Sequence, residues 1–399
     1  MACFLKIPSN NYKGVLVFTT PELIWINLDK KNQNKLKLLK NKWIIGIHHN
    51  WHNFKFKKNN LFDFEMAGEG DLIETNGKPI DLIPMDCCNF PPNLFNYDNK
   101  EKYWDILCII RPVFFKRILF FFDLMRKLYD SGKKYRVLCI TPFSNNFFPK
   151  FNIYEYDYKY ILNIYNKKFS SDEKKLFNFI TPTYNNAFPF DLKTLSFFYR
   201  KSKIFLHTSN IERRPRINSY AHKAGIPVVC SKESSFIVSN HLRKEPFLYV
   251  CKNDNEYIPK IIKAINYVDS PLYNKKKMLP IINQFNYKLN IKKLVFFIEK
   301  IQKQKFTSKE VKKFNFKNLD IRLGYSFTKI RGNNILNVID FLSKNKVKKI
   351  IKYVKKDFKN FSEISSIKYM LIFFIKIYLF VNNFFASFVS QVLKMIRKI

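Results

Sequence analysis

Apolar residues recur along the chain in short unbroken runs, separated by longer stretches with helical spacing. Nine runs read as strands: 14–19, 43–48, 81–84, 105–110, 135–140, 176–181, 204–208, 227–230 and 247–251. They are β-branched or aromatic and apolar at consecutive positions, the pattern of strands covered on both faces. Three helices stand out between them. The stretch 111–131 stops before Gly132, 191–202 opens on an Asp suited to an N-cap, and 215–224 has Pro215 in its first turn and Gly225 just past its end. Strands alternating with helices predict an α/β protein with mostly parallel sheets. The stretch 89–102, with Pro91, Pro92 and several Asn, reads as a linker, so a domain boundary is expected at 98.

Composition adds charge to this picture. The 399 residues include 71 Lys plus Arg against 31 Asp plus Glu, a formal charge of +40. Such an excess suggests a nucleic acid or an anionic membrane as partner. However, 59 of the cations are Lys and 12 are Arg, Gly numbers only nine, and Asn, Ile, Phe and Tyr are plentiful. That is the residue set of AT-rich coding, so Arg positions carry more information than Lys positions. No nucleic-acid-binding motif is present, and no nucleic-acid partner is expected. The seven Cys form no C-x-x-C pair, and Cys87 and Cys88 are adjacent. This fits reduced thiols without structural zinc, and no secretory leader is read at the N-terminus. A cytoplasmic setting follows as the expectation.

In open α/β sheets ligands bind beyond the carboxyl ends of the strands, and three strand ends hold polar clusters. The first is Ser209 to Arg216, with Glu212, Arg213, Arg214 and Pro215 ahead of a helix N-terminus, which suits phosphate. Glu212 could accept from sugar hydroxyls, or it could simply pair with Arg213 or Arg216. The second is Arg111 with Lys116 five residues later, two cations suited to a diphosphate or else ordinary surface charge. The third holds three of the six His in five residues, His48, His49 and His52. Metal binding, ligand contact and a backbone-satisfied loop all remain open for it.

Together these segments resemble the retaining glycosyltransferases of the GT-B fold marked by an E-x7-E motif. In that family a strand leads to Gly-Arg with Lys five residues on; here Ile110 stands for the Gly. A later strand leads to Ser-x-x-Glu-x-x-Pro, a helix, and Gly-x-Pro-Val-Val, matched by Ser209, Glu212, Pro215, Gly225, Pro227, Val228 and Val229. The segment from Leu195 to Thr208 is similar to the helix and strand that precede the motif, and Ile45-Gly-Ile-His48 is similar to the family's strand ending in His. The resemblance implies two Rossmann-like domains with parallel sheets and sugar transfer from a nucleotide-sugar to a glycan or lipid-linked acceptor. It further implies retention, no cofactor or metal, and work on cell-surface glycans. It assigns catalytic roles to Glu212 and His48. Donor contacts fall to Arg111, Lys116, Ser209, Arg213, Arg214, Pro215 and Tyr220. The second Glu of the motif, which grips the ribose, is Tyr220 here.

The expected domains are an abridged acceptor domain over 1–98, a donor domain over 99–300, and a mostly helical extension over 301–399. The extension carries a net +17. Within it, the 21 residues 369–389 contain one Lys and two Asn in a mostly apolar run, and Lys376, Asn383, Ser387, Ser390, Lys394 and Arg397 form one polar stripe. This predicts an in-plane amphipathic helix on the inner face of a membrane, or a helix packed on protein.

Overall fold

The computed structural model describes residues 2–9, 11–19, 30–48, 61–68, 82–98, 101–141, 156, 158–181 and 191–324, together with 339 and 342. Residues 1–327 form one compact unit, and its described residues build two α/β layers, each around its own sheet. The fold class is α/β, with two mostly parallel sheets.

The first sheet has the order β1 (Ala2–Lys6), β2 (Gly14–Thr19), β3 (Trp43–His48), β4 (Phe64–Met66) and β5 (Leu82–Ile83). Strands β2 to β5 run parallel, and β3 is buried along its whole length, as its unbroken apolar run requires. Strand β1 is an antiparallel edge, with Cys3 opposite Val17. Both β1 and β4 lie outside the nine runs: the apolar run of β1 breaks at Lys6 and Pro8, and β4 has only three residues.

The second sheet has the order β11 (Leu248–Cys251), β10 (Val228–Ser231), β9 (Ser202–His207), β6 (Trp104–Ile109), β7 (Val137–Ile140) and β8 (Phe177–Ile180). Every neighbouring pair is parallel. Counted within the domain, this is the doubly wound order 3-2-1-4-5-6, and the winding reverses between β6 and β9. Helix Ile118–Asp130 buries Ile118, Phe121, Phe122, Met125 and Leu128 against the sheet, a single face at helical spacing. Cys108, Cys139, Cys230 and Cys251 are free thiols inside these strands, where they pack as small hydrophobes.

Helix 111–131 begins later than its pattern suggested. Residue Pro112 disfavours helical backbone at Arg111, residues Phe114–Lys116 form a 3-10 turn, and Arg117 takes a left-handed φ of 61° before the helix starts at Ile118. Helix Leu192–Arg200 is capped by Asp191, which accepts from the Thr194 N–H at 2.7 Å. Helix Arg216–Lys223 ends in a Schellman turn. The Gly225 N–H donates to His222 O at 3.0 Å and the Ile226 N–H to Ala221 O at 3.1 Å, with Gly225 at φ +72°.

The expected boundary at 300 cuts through a packed unit. Leu294, Val295 and Ile298 of helix Tyr287–Gln302, with Phe306, Phe314, Leu319 and Leu323, share one core with Cys3, Leu5, Val15 and Val17. The chain thus returns to the first sheet, and residues 287–323 complete the core that its short strands cannot fill alone. The Asn315 N–H donates to Leu5 O at 2.7 Å, and Lys6 pairs with Glu310 at 3.0 Å. The amphipathic stretch expected near the C-terminus lies outside the described residues. Among the described residues no helix is long and apolar enough to cross a membrane.

Candidate functional site

In a doubly wound sheet the crevice that takes ligands lies beyond the carboxyl ends of the strands where the winding reverses; here that point lies between β6 and β9, and two of the three polar clusters emerge there. Beyond β6 come Arg111 and the turn that carries Lys116. Beyond β9 come Thr208, Ser209 and Glu212. Hydroxyls fix these loops to one another. Thr208 Oγ1 donates to Lys116 O at 2.7 Å, Ser231 Oγ to Ser209 O at 2.7 Å, and Ser234 Oγ to Glu212 O at 2.7 Å. The two donating serines come from the end of β10 and the turn after it, so three successive strand ends hold the Glu212 loop.

The Glu212 carboxylate is the charge centre of the crevice. Its Oε2 accepts from Lys116 Nζ and lies 3.0 Å from His207 Nε2. No described residue bonds to Oε1, and the side chain keeps 29% of its exposure against 12% for Lys116. One oxygen is therefore tied down while the other can meet a ligand. Burial raises the Glu212 carboxyl, but the Lys116 charge and the His207 hydrogen bond outweigh it and hold the group well below the usual carboxylate range. Burial pushes the His207 imidazole down, against the upward pull of Glu212. His207 is thus neutral at pH 7, and beside an ionised carboxylate its Nε2 must be the protonated nitrogen. Glu212 pairs with these two groups instead of with Arg213 or Arg216.

The remaining sequence candidates divide by where their side chains go. Arg111 is partly buried past the end of β6 and makes no bond to Glu212. Ser209 is 1% exposed, and its Oγ has no hydrogen-bond partner among the described residues. Pro215 starts the helix. Arg213 lies over the Phe236 ring at 4.1 Å. Arg214 turns toward the first domain: its Nε donates to Asp86 Oδ2 at 2.5 Å and its Nη2 to Asp86 Oδ1 at 3.2 Å, with Nη1 on Phe236 O. Both side chains of that pair are 1% exposed. Gly68 packs directly on the guanidinium, since a Cβ there would meet Arg214 Nε at 1.8 Å. Arg214 is a buried tie between the domains in this arrangement. Tyr220 is 4% exposed, stacks on Phe95 at 4.3 Å, and donates to Asp320 Oδ2 at 2.5 Å. His48 is fully buried at the end of β3, where its Nε2 accepts from the Cys87 N–H at 3.1 Å. Neither Lys116 nor Glu212 bonds to it.

Sequence reasoning marked Thr208 as an informative strand end but missed His207, Ser231 and Ser234. The available signal was a His closing an apolar strand at its carboxyl end, the same feature that drew attention to His48. It was missed at 207 because the motif begins two residues later. Arg117 was also passed over; it holds Asp254 through Nη1 at 2.9 Å and Nη2 at 2.5 Å. Among the described residues no group of three His, Cys, Asp or Glu is placed to hold a metal ion.

No protein-family model and no curated protein matches the sequence. Among solved structures the chain is similar to sucrose-phosphate synthase from Thermosynechococcus elongatus, with 11% identity over 70% of this chain and 72% of that one, at a TM-score of 0.49. It is also similar to a glycosyltransferase from Rickettsia africae, with 12% identity over 72% and 90% of the two chains and a TM-score of 0.47. A third similarity is to the GtfA/B complex, with 10% identity, a TM-score of 0.46, and coverage of 67% of this chain but only 55% of that one.

Proposed function

We propose that this chain is a glycosyltransferase that moves a sugar from a nucleotide-sugar donor to a glycan or lipid-linked acceptor, with retention and without a bound metal. One observation carries the reading: Lys116 and Glu212 meet at the point where the winding of the second sheet reverses. A cation there can stabilise the departing nucleoside diphosphate, where negative charge develops, and a carboxylate beside it can hold sugar hydroxyls. Arg111 supplies a second cation on the same side, with a fork suited to phosphate oxygens. No residue is assigned as a covalent nucleophile.

The test starts with a thermal-shift screen against nucleoside diphosphates and nucleotide-sugars, since a ligand that binds the folded state raises the melting temperature. Donor hydrolysis and transfer follow with the ligand found. Lys116→Ala is expected to lower turnover by about 100-fold or more while changing donor affinity much less. Arg111→Ala is expected to act in the same direction. Unchanged turnover in both variants removes the diphosphate assignment.

The setting we propose is surface-glycan or glycolipid assembly at the cytoplasmic face of a membrane. The basic C-terminal hundred residues, and the apolar run at their end with its one polar stripe, support it. Liposome flotation of the full chain and of a chain lacking 362–399 tests this; equal binding by both discards it. The buried Tyr220 favours a second reading, a non-catalytic protein that binds nucleotide-sugars. Stabilisation by nucleotide-sugars without hydrolysis or transfer in any acceptor screen selects that reading.

A further inference from the structure

We propose that His207 is the positioning residue of this site, holding Glu212 on the sugar while Lys116 is claimed by the diphosphate. The inference rests on the glycosyltransferase reading and deepens it. Lys116 and His207 both contact Oε2 of Glu212, so the carboxylate has two anchors on one oxygen. A bound diphosphate, with its greater charge, competes for Lys116. When Lys116 turns to it, His207 is the anchor that remains. Without it, a partly buried carboxylate would be free to swing toward the same lysine and away from the sugar.

The geometry suits that task. His207 ends strand β9 and is only 3% exposed, so its ring cannot follow a moving ligand. Its backbone stays in register with Cys230 of β10. The Nε2–H donates and carries no net charge, so it neither repels nor exchanges with the lysine. Of the groups beside Glu212, Ser234 reaches only the main-chain carbonyl, at 2.7 Å, and cannot orient the carboxylate.

The test compares the wild type with His207→Leu and His207→Gln. Gln keeps an N–H donor near the Nε2 position, and Leu removes it at similar bulk. Two probes are used, a nucleoside diphosphate and the matching nucleotide-sugar: UDP with UDP-glucose, or GDP with GDP-mannose, whichever pair stabilises the wild type. For His207→Leu the expectation is a loss of about tenfold or more in kcat/KM for the nucleotide-sugar, with diphosphate binding within about twofold of wild type. His207→Gln restores most of the loss. In a Glu212→Ala background the Leu substitution adds nothing further, because no carboxylate is left to position.

Equal loss of diphosphate and nucleotide-sugar binding in His207→Leu marks a merely structural role and overturns the proposal. So does full activity in His207→Leu, or failure of Gln to rescue a Leu variant that folds as the wild type does. A wild type that binds neither probe pair and shows no turnover instead sinks the glycosyltransferase reading, and the inference with it.

Discussion

The buried pair Arg214–Asp86 should be worth far more when broken than when replaced as a whole. Both side chains are 1% exposed, and two hydrogen bonds join them at 2.5 and 3.2 Å. Asp86→Ala leaves the guanidinium buried in a gap that Gly68 and the Phe236 carbonyl already close. Removing one member of such a pair costs about 3–5 kcal/mol. Asp86 also caps the turn Cys87–Asn89 by accepting from the Cys88 N–H at 2.9 Å, and losing a cap adds about 1 kcal/mol. The sum, about 4–6 kcal/mol, is a large part of the 5–15 kcal/mol that holds a typical protein folded. Asp86→Leu combined with Arg214→Met should cost much less, about the lost cap plus some packing, because no charge is then stranded. Urea unfolding followed by tryptophan fluorescence reads the effect, since Trp43 lies in the first sheet and Trp104 in the second. Asp86→Ala should either lower the midpoint of a single transition or split it into two, as the domains lose their tie. A loss under about 1 kcal/mol refutes the argument, and so does a double variant as unstable as the sum of the singles.

Glu310 offers a pH test. Burial alone would raise its carboxyl, but hydrogen bonds from Lys313, Lys6 and Ser9 bring it down to about 2. A depressed folded value contributes stability that is present above the unfolded carboxylate range and is lost as pH falls through the folded value. The wild type should therefore lose stability between about pH 4.5 and 2, and Glu310→Gln should lose less over that window in urea titrations at stepped pH. Two glycines separate backbone strain from crowding. At Gly132, φ +78°, a Cβ would meet nothing within 4 Å, whereas at Gly225, φ +72°, it would meet the Tyr97 ring at 2.5 Å. Gly132→Ala should cost about 1 kcal/mol and Gly225→Ala clearly more, by the same denaturation assay.

The second domain was legible because its strands are buried on both faces and so appear as unbroken apolar runs. The helix stops at Gly132 and Gly225 were equally plain, since left-handed backbone favours glycine. Strands β1 and β4 were not legible: Lys6 and Pro8 interrupt the apolar run of the first, and the second has only three residues. The return of 287–323 to the first sheet was hidden for a different reason. Amphipathic spacing shows that Leu294 and Ile298 share a face but not which sheet receives it. In the site, Lys116 and Glu212 could be picked out because each follows a strand end, and a strand end has a fixed place in a doubly wound sheet. Residue type alone says nothing about where the other side chains turn. Arg213, Arg214 and Tyr220 looked like ligand contacts, yet each side chain is buried. Arg213 lies over the Phe236 ring, and the other two satisfy their polar groups on Asp86 and Asp320.

The fate of Tyr220 bears on which nucleotides can bind. On the proposed reading a carboxylate at that position would accept from both ribose hydroxyls, but Tyr220 faces inward onto Phe95 and Asp320, and burial first of all pushes its phenol up so that it stays protonated. On the proposed reading, this side chain therefore offers nothing to the ribose hydroxyls, and simply writing Glu back does not supply a partner. Tyr220→Glu would place a second carboxylate beside Asp320 in a site where both are shielded from water, a like-charge burial costing several kcal/mol. Tyr220→Phe removes only the hydrogen bond to Asp320, about 1.5–3 kcal/mol for a charged acceptor. Thermal melts should rank wild type above Phe above Glu. Titration with a nucleoside diphosphate and its 2′-deoxy form should give affinities within about threefold, where a carboxylate clamp would separate them by about tenfold or more. Tighter donor binding in a stably folded Tyr220→Glu, or a strong preference for the ribose form, would place this side chain in the crevice and undo the argument.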